Sequence, residues 1–136
     1  MAATVPVDLE LLWQSDLVFR GPEGAVPLTL DSDGKAGPSP VQALAYALAG
    51  CMGMDVVHIL TKGRFEVRAC RIRLHAERAP QEPRRIVSAA LHFALRTSAP
   101  PDKVERALAL SRETYCSVWH SLRSDIPLDT TFAIEP

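Results

Sequence analysis

Cys51 lies inside an apolar run of 12 uncharged residues, Ala43 to Met54, and Cys116 follows 65 residues later in Tyr115-Cys-Ser-Val-Trp-His120. A buried thiol on its own is usually a small inert hydrophobe, whereas two thiols brought together from separate helices form a redox pair. Other reactive side chains cluster near both cysteines. Asp55 and His58 follow Cys51 at i+4 and i+7, and His120 follows Cys116 at i+4. On an ideal helix Cys51 and His58 are about 10 Å apart along the axis, which excludes a direct hydrogen bond and a same-helix Cys-His-Asp triad. Cysteine and histidine are also tetrahedral zinc ligands, so a site drawing on Cys116, His120 and groups from the first helix is conceivable. The spacings match no closed zinc motif, and no metal or cofactor is expected.

The elements that must position these residues follow from pattern. Ser39-Pro40 reads as an N-cap followed by proline at the first helical position, which starts a central helix over 39–62 ended by Gly63. Before it, residues 1–35 read as a β-meander, with strands at Val7 to Gln14, Leu17 to Phe19 and Val26 to Leu30. Beyond it, residues 65–97 alternate cleanly as a hairpin. Cys70, Ile72 and Leu74 share one face; Val87, Ala89, Leu91, Phe93 and Leu95 share another; His75 and His92 fall on the wet sides. Val104, Leu108, Ser111, Tyr115, Val118 and Leu122 then recur at helical spacing and predict a second helix over 101–123. A last strand is expected at 128–134. The sum is an α+β domain over 1–136, with the helices packed on a sheet.

Composition narrows the function classes. With 15 basic and 16 acidic residues scattered along the chain, no basic stripe recommends a nucleic-acid partner. The uncharged run is shorter than the roughly 18–20 residues needed to span a bilayer, so no membrane partner is expected. The N-terminal residues lack the pattern of a secretion signal, and an odd number of cysteines argues against a disulfide framework; the expected compartment is the cytoplasm, where any disulfide is transient. The central helix is apolar on nearly every side, more than one sheet face covers. A second copy of the chain is the simplest supplier of that surface, which predicts a homodimer.

The run Ala36-Gly-Pro-Ser-Pro-Val-Gln-Ala-Leu-Ala-Tyr-Ala-Leu-Ala-Gly-Cys-Met-Gly-Met-Asp-Val-Val-His-Ile-Leu60 resembles the central helix of the OsmC/Ohr family, the osmotically inducible and organic-hydroperoxide-resistance proteins. Glu113-Thr-Tyr-Cys-Ser-Val118 is similar to the family's second cysteine site, and the intervening hairpin and final strand follow the family's order. Gly-Pro-Ser-Pro before the helix and Asp-Val-Val after the cysteine point to the OsmC-like subgroup. The resemblance implies an intertwined homodimer, with antiparallel sheets around two long helices and active sites at the subunit interface. It further implies a peroxidase that reduces organic hydroperoxides, with Cys51 attacking the peroxide, Cys116 resolving the product as a disulfide, and an external dithiol restoring the thiols. Gln42, Asp55, His58 and Tyr115 would line or support that pocket.

Cys51 is too far into the helix, about 16 Å from its start, for the helix dipole to stabilise a thiolate. In the family an arginine from the N-terminal strands does so, held by a glutamate near the start of the long helix. Arg20 is the only basic residue among the first 34 and takes that role by resemblance. The glutamate has no counterpart: Val41 and Gln42 stand after Pro40, leaving Gln42 to offer a carbonyl, or Glu23 or Asp55 to substitute. The alternative reading follows from that departure, a binding or structural dimer of the same fold with its peroxidase activity reduced or lost.

Overall fold

Alternating side chains build the centre of the sheet. In the computed structural model, which describes residues 3–16, 18–20 and 31–136, β3 (Val67–Arg78) and β4 (Ile86–Thr97) pair antiparallel with Leu74 opposite Leu91 and Ile72 opposite Phe93. Cys70, Ile72, Leu74 and Ala76 from β3, with Ala89, Leu91, Phe93 and Leu95 from β4, are buried on one face. β1 (Val5–Ser15) flanks β3 antiparallel, with Leu11 opposite Ile72, and β2 (Val18–Arg20) folds back on β1. The third expected meander strand, Val26 to Leu30, lies outside the described residues. β5 (Leu128–Ile134) completes the order β2-β1-β3-β4-β5, but it runs parallel to β4, so the sheet is mixed and not wholly antiparallel. A parallel pair requires a crossover connection, and the chain between β4 and β5 supplies it with helices.

α1 (Pro40–Lys62) lies on the buried face. Its entry is fixed by a capping box: the Gln42 N–H donates to Ser39 Oγ at 3.2 Å, and the Ser39 N–H donates to Gln42 Oε1 at 2.9 Å. At its exit Gly63 keeps φ at −75° and the left-handed residue is Arg64, at φ 69°. At Gly63 an added Cβ would stand in close contact, 3.4 Å from the Ile59 and Leu60 carbonyls and from Phe65. The 23-residue helix is long and apolar enough to cross a membrane, yet half of the 18-residue apolar stretch that meets this test is buried within the chain. Ala45, Leu48, Ala49, Met52, Val56 and Leu60 form its packed side. At Gly50, β1 comes close enough that an added Cβ would meet Leu11 Cδ1 at 3.7 Å.

The second long helix expected over 101–123 is broken. α2 (Pro101–Leu110) buries Val104, Ala107 and Leu108. It passes into one π turn, Ser111–Tyr115, and then stops at Cys116, whose φ of −74° and ψ of 94° are extended; α3 (Ser117–His120) restarts the helix. The Cys116 N–H reaches back to the Ser111 carbonyl at 2.8 Å, one residue further than an α-helical bond. Thr114, Tyr115, Cys116 and Ser117 are all weak helix formers, so this stretch gives way where packing asks it to. The helical spacing therefore holds at Val104, Leu108 and Ser111, while Tyr115 turns out to solvent at 57% exposure.

Candidate functional site

The break in the second helix faces the middle of α1, and there the two cysteines meet. Sγ of Cys51, a carboxylate oxygen of Asp55 and Sγ of Cys116 all lie within 4.8 Å of one another. Cys51 and Asp55 are one turn apart on α1 and half-buried; Cys116 is fully buried. The elements explain this grouping. An i, i+4 pair projects from one side of a helix, and the extended backbone at Cys116 lets its side chain act as the N-cap of α3, accepting from the Trp119 N–H at 3.3 Å.

Two serines support the cluster. Ser111, fully buried at the start of the π turn, donates to Asp55 Oδ2 at 2.8 Å. Ser117 Oγ stands 3.9 Å from Cys51 Sγ. Both escaped the reading of the sequence. Ser111 left a signal nonetheless, because it is a polar residue on the buried stripe of Val104 and Leu108 and such a group demands a partner.

Burial pushes the Cys116 thiol up to about 12. The Trp119 N–H opposes this, while Cys51 and the Asp55 carboxylate add to it by disfavouring another negative charge nearby. Cys70, buried beneath the sheet, is likewise pushed up to about 12 by burial alone. Cys116 at neutral pH is thus a neutral thiol aimed at Cys51, and all three cysteines are free. A sulfur–sulfur bond is about 2.0 Å long, so side-chain rotation with local backbone adjustment at the break is the movement that joining them requires.

The remaining candidates fall elsewhere. Gln42 spends its carbonyl on the capping box, where it serves the helix entry. His58 and Tyr115 are exposed and outside the cluster. His120 Nε2 bonds the Arg112 carbonyl at 2.9 Å, and His120 is not among the ligand atoms gathered within 4.8 Å, where Cys51, Asp55 and Cys116 meet. Arg20 ends β2, paired with Leu12 of β1, and β2 lies against α1; its side chain, like Glu23, lies outside the described residues.

Known proteins repeat this arrangement of elements. The family described as OsmC-like protein matches residues 32–131. Protein YhfA of Escherichia coli (strain K12) is 36% identical over 126 residues, covering 90% of this chain and 93% of YhfA. Among solved structures, a hypothetical protein from Aquifex aeolicus VF5 superposes with a TM-score of 0.73 at 25% identity, covering 99% of this chain and 98% of that one. The organic hydroperoxide resistance protein OhrB of Bacillus subtilis shares the fold with a TM-score of 0.60 at 13% identity, over 93% and 98% of the two chains. With a family match spanning both cysteine sites and a relative at this identity along nearly its whole length, the chain belongs to the OsmC-like family.

Proposed function

We propose that this protein is a thiol-dependent reductase of organic hydroperoxides. The observation that carries the reading is the approach of Cys51 and Cys116 to within 4.8 Å from elements 65 residues apart. Cys51, half-buried and reachable, attacks the terminal oxygen of the peroxide as a thiolate; the O–O bond breaks, the alcohol leaves with a proton, and Cys51 becomes a sulfenic acid. Cys116 then attacks that sulfur, water departs, and a Cys51–Cys116 disulfide remains for an external dithiol to reduce. Arg20 supplies the positive charge that keeps Cys51 ionised. Leu44, Ala47 and Met54 flank Cys51 along α1, an apolar approach that favours an organic peroxide over hydrogen peroxide. The name of the Bacillus subtilis neighbour agrees with this chemistry.

The second reading, a binding or structural dimer, is favoured by one observation: Gln42 stands where the family's pattern has an acid, and its carbonyl is already engaged. One experiment separates the two. Reduced protein is mixed with cumene hydroperoxide while peroxide loss and free thiols are followed together. The peroxidase reading expects two thiols lost per peroxide consumed, no consumption in Cys51→Ser, and a single round without turnover in Cys116→Ser. Thiols that stay free while the peroxide persists would leave the binding dimer.

A further inference from the structure

The same cluster is chemically suited to something other than a peroxide. We propose that Cys51, Asp55 and Cys116 form a binding site for one thiophilic divalent cation of the zinc class. Two sulfurs and one carboxylate oxygen are ligand types that such an ion takes, at about 2.3 Å for sulfur and about 2.0–2.2 Å for oxygen. In tetrahedral geometry two such sulfurs sit about 3.8 Å apart. All three atoms here already lie within 4.8 Å, so side-chain adjustment closes the site without moving an element. Cys51 and Asp55 present an i, i+4 pair on a rigid helix, and Cys116 closes from the opposite side.

The surroundings have the form of an outer shell. Ser111 orients the Asp55 carboxylate through its 2.8 Å hydrogen bond, and the Trp119 N–H steadies the Cys116 sulfur. Three groups that each can carry negative charge share one small volume, and a dication answers that crowding. Cysteine binds such an ion as thiolate, so binding releases protons from the sulfurs. Three protein ligands leave a fourth position for water, as in open zinc sites.

This proposal uses the geometry underlying the peroxidase reading but none of its peroxide chemistry, and the two fail separately. The anaerobic, reduced full-length protein is titrated with Zn2+ against a chromophoric chelator, and in parallel with Cd2+, following the ultraviolet cadmium–thiolate band. The expected result is one ion per chain with the band intensity of two thiolates, a reading on the unmodified protein that needs no variant to fold. Cys51→Ser, Cys116→Ser and Asp55→Asn each weaken binding, and Ser111→Ala weakens it about tenfold as a group acting through Asp55. Cys70→Ala leaves it unchanged. Diamide oxidation of the cysteine pair abolishes binding. No chelator-resistant ion, a band of one thiolate or none, or affinity unaffected by Asp55→Asn overturns the site, while leaving the peroxide assay to decide the other reading.

Discussion

Three thiols in one chain occupy three different chemical situations, and reactivity should sort them. Cys70 and Cys116 are buried and held as neutral thiols by pKa values pushed up to about 12, while Cys51 is half-buried on α1. Because only the thiolate is nucleophilic, iodoacetamide at neutral pH should label Cys51 first in the folded protein. Cys116 and Cys70 should follow only as pH climbs toward 12 or on unfolding. Mass spectrometry of timed samples checks the order, and faster labelling of Cys116 would contradict it. Arg20→Met should slow the labelling of Cys51 at neutral pH, and an unchanged rate would remove Arg20 from the proposed site. At this scale the sequence made the meeting of Cys51 and Cys116 legible, because both stand in motifs of recognisable type. Gln42 shows the limit: sequence marks an amide near the helix start, and only the fold reveals that its carbonyl is satisfied by Ser39.

The decisive element is the interrupted second helix. The spacing of Val104, Leu108 and Ser111 foretold its beginning, but nothing in a run of helical spacing announces a π turn, which adds one backbone residue and shifts everything after it. The break coincides with tertiary contacts, the partly buried bond from Ser111 to Asp55 and the seating of Cys116 against α1. The strands were easier to read, since alternation in β3 and β4 states directly which side is buried. The parallel docking of β5 was not, because a short strand carries no mark of direction. Ser111→Ala should cost about 1–3 kcal/mol by leaving a carboxylate without its donor. Urea denaturation measures it, and a stability equal to the parent would show that water replaces the hydroxyl. Deleting one residue from 111–115 should be more damaging to the site than to the fold, since each helical residue turns the chain by about 100° and Cys116 would swing away.

Considered as a whole, the molecule leaves a stripe of α1 uncovered by the described residues. Leu44, Ala47, Cys51, Met54 and His58 recur at three- and four-residue intervals along it, exposed or half-buried. A second copy packed there would cover the stripe and enclose Cys51, the basis for expecting a homodimer. Ala47→Glu should then shift the mass seen by light scattering from two chains to one; a parent that is monomeric at micromolar concentration ends the idea. The opposite face of the sheet is polar and carries a pH dependence of its own. His75 on β3 meets Asp8 of β1 at 2.6 Å and Glu77 at 2.8 Å, and these hydrogen bonds raise its pKa. The raised folded value means that the bridge stabilises fully below the unfolded pKa of about 6.5 and fades as pH rises through the folded one. Melting temperatures across pH should show that decline in the parent and lose it in His75→Ala.

The parallel pairing of β4 with β5 also governs when the sulfurs can find each other. A nascent polypeptide exposes Cys51 long before the crossover that bears Cys116 has been synthesised, and that crossover packs on α1 and is closed off by the final strand. The cluster is therefore a late product of assembly, and a linkage between its two sulfurs would serve as a biochemical receipt that maturation of the chain has finished.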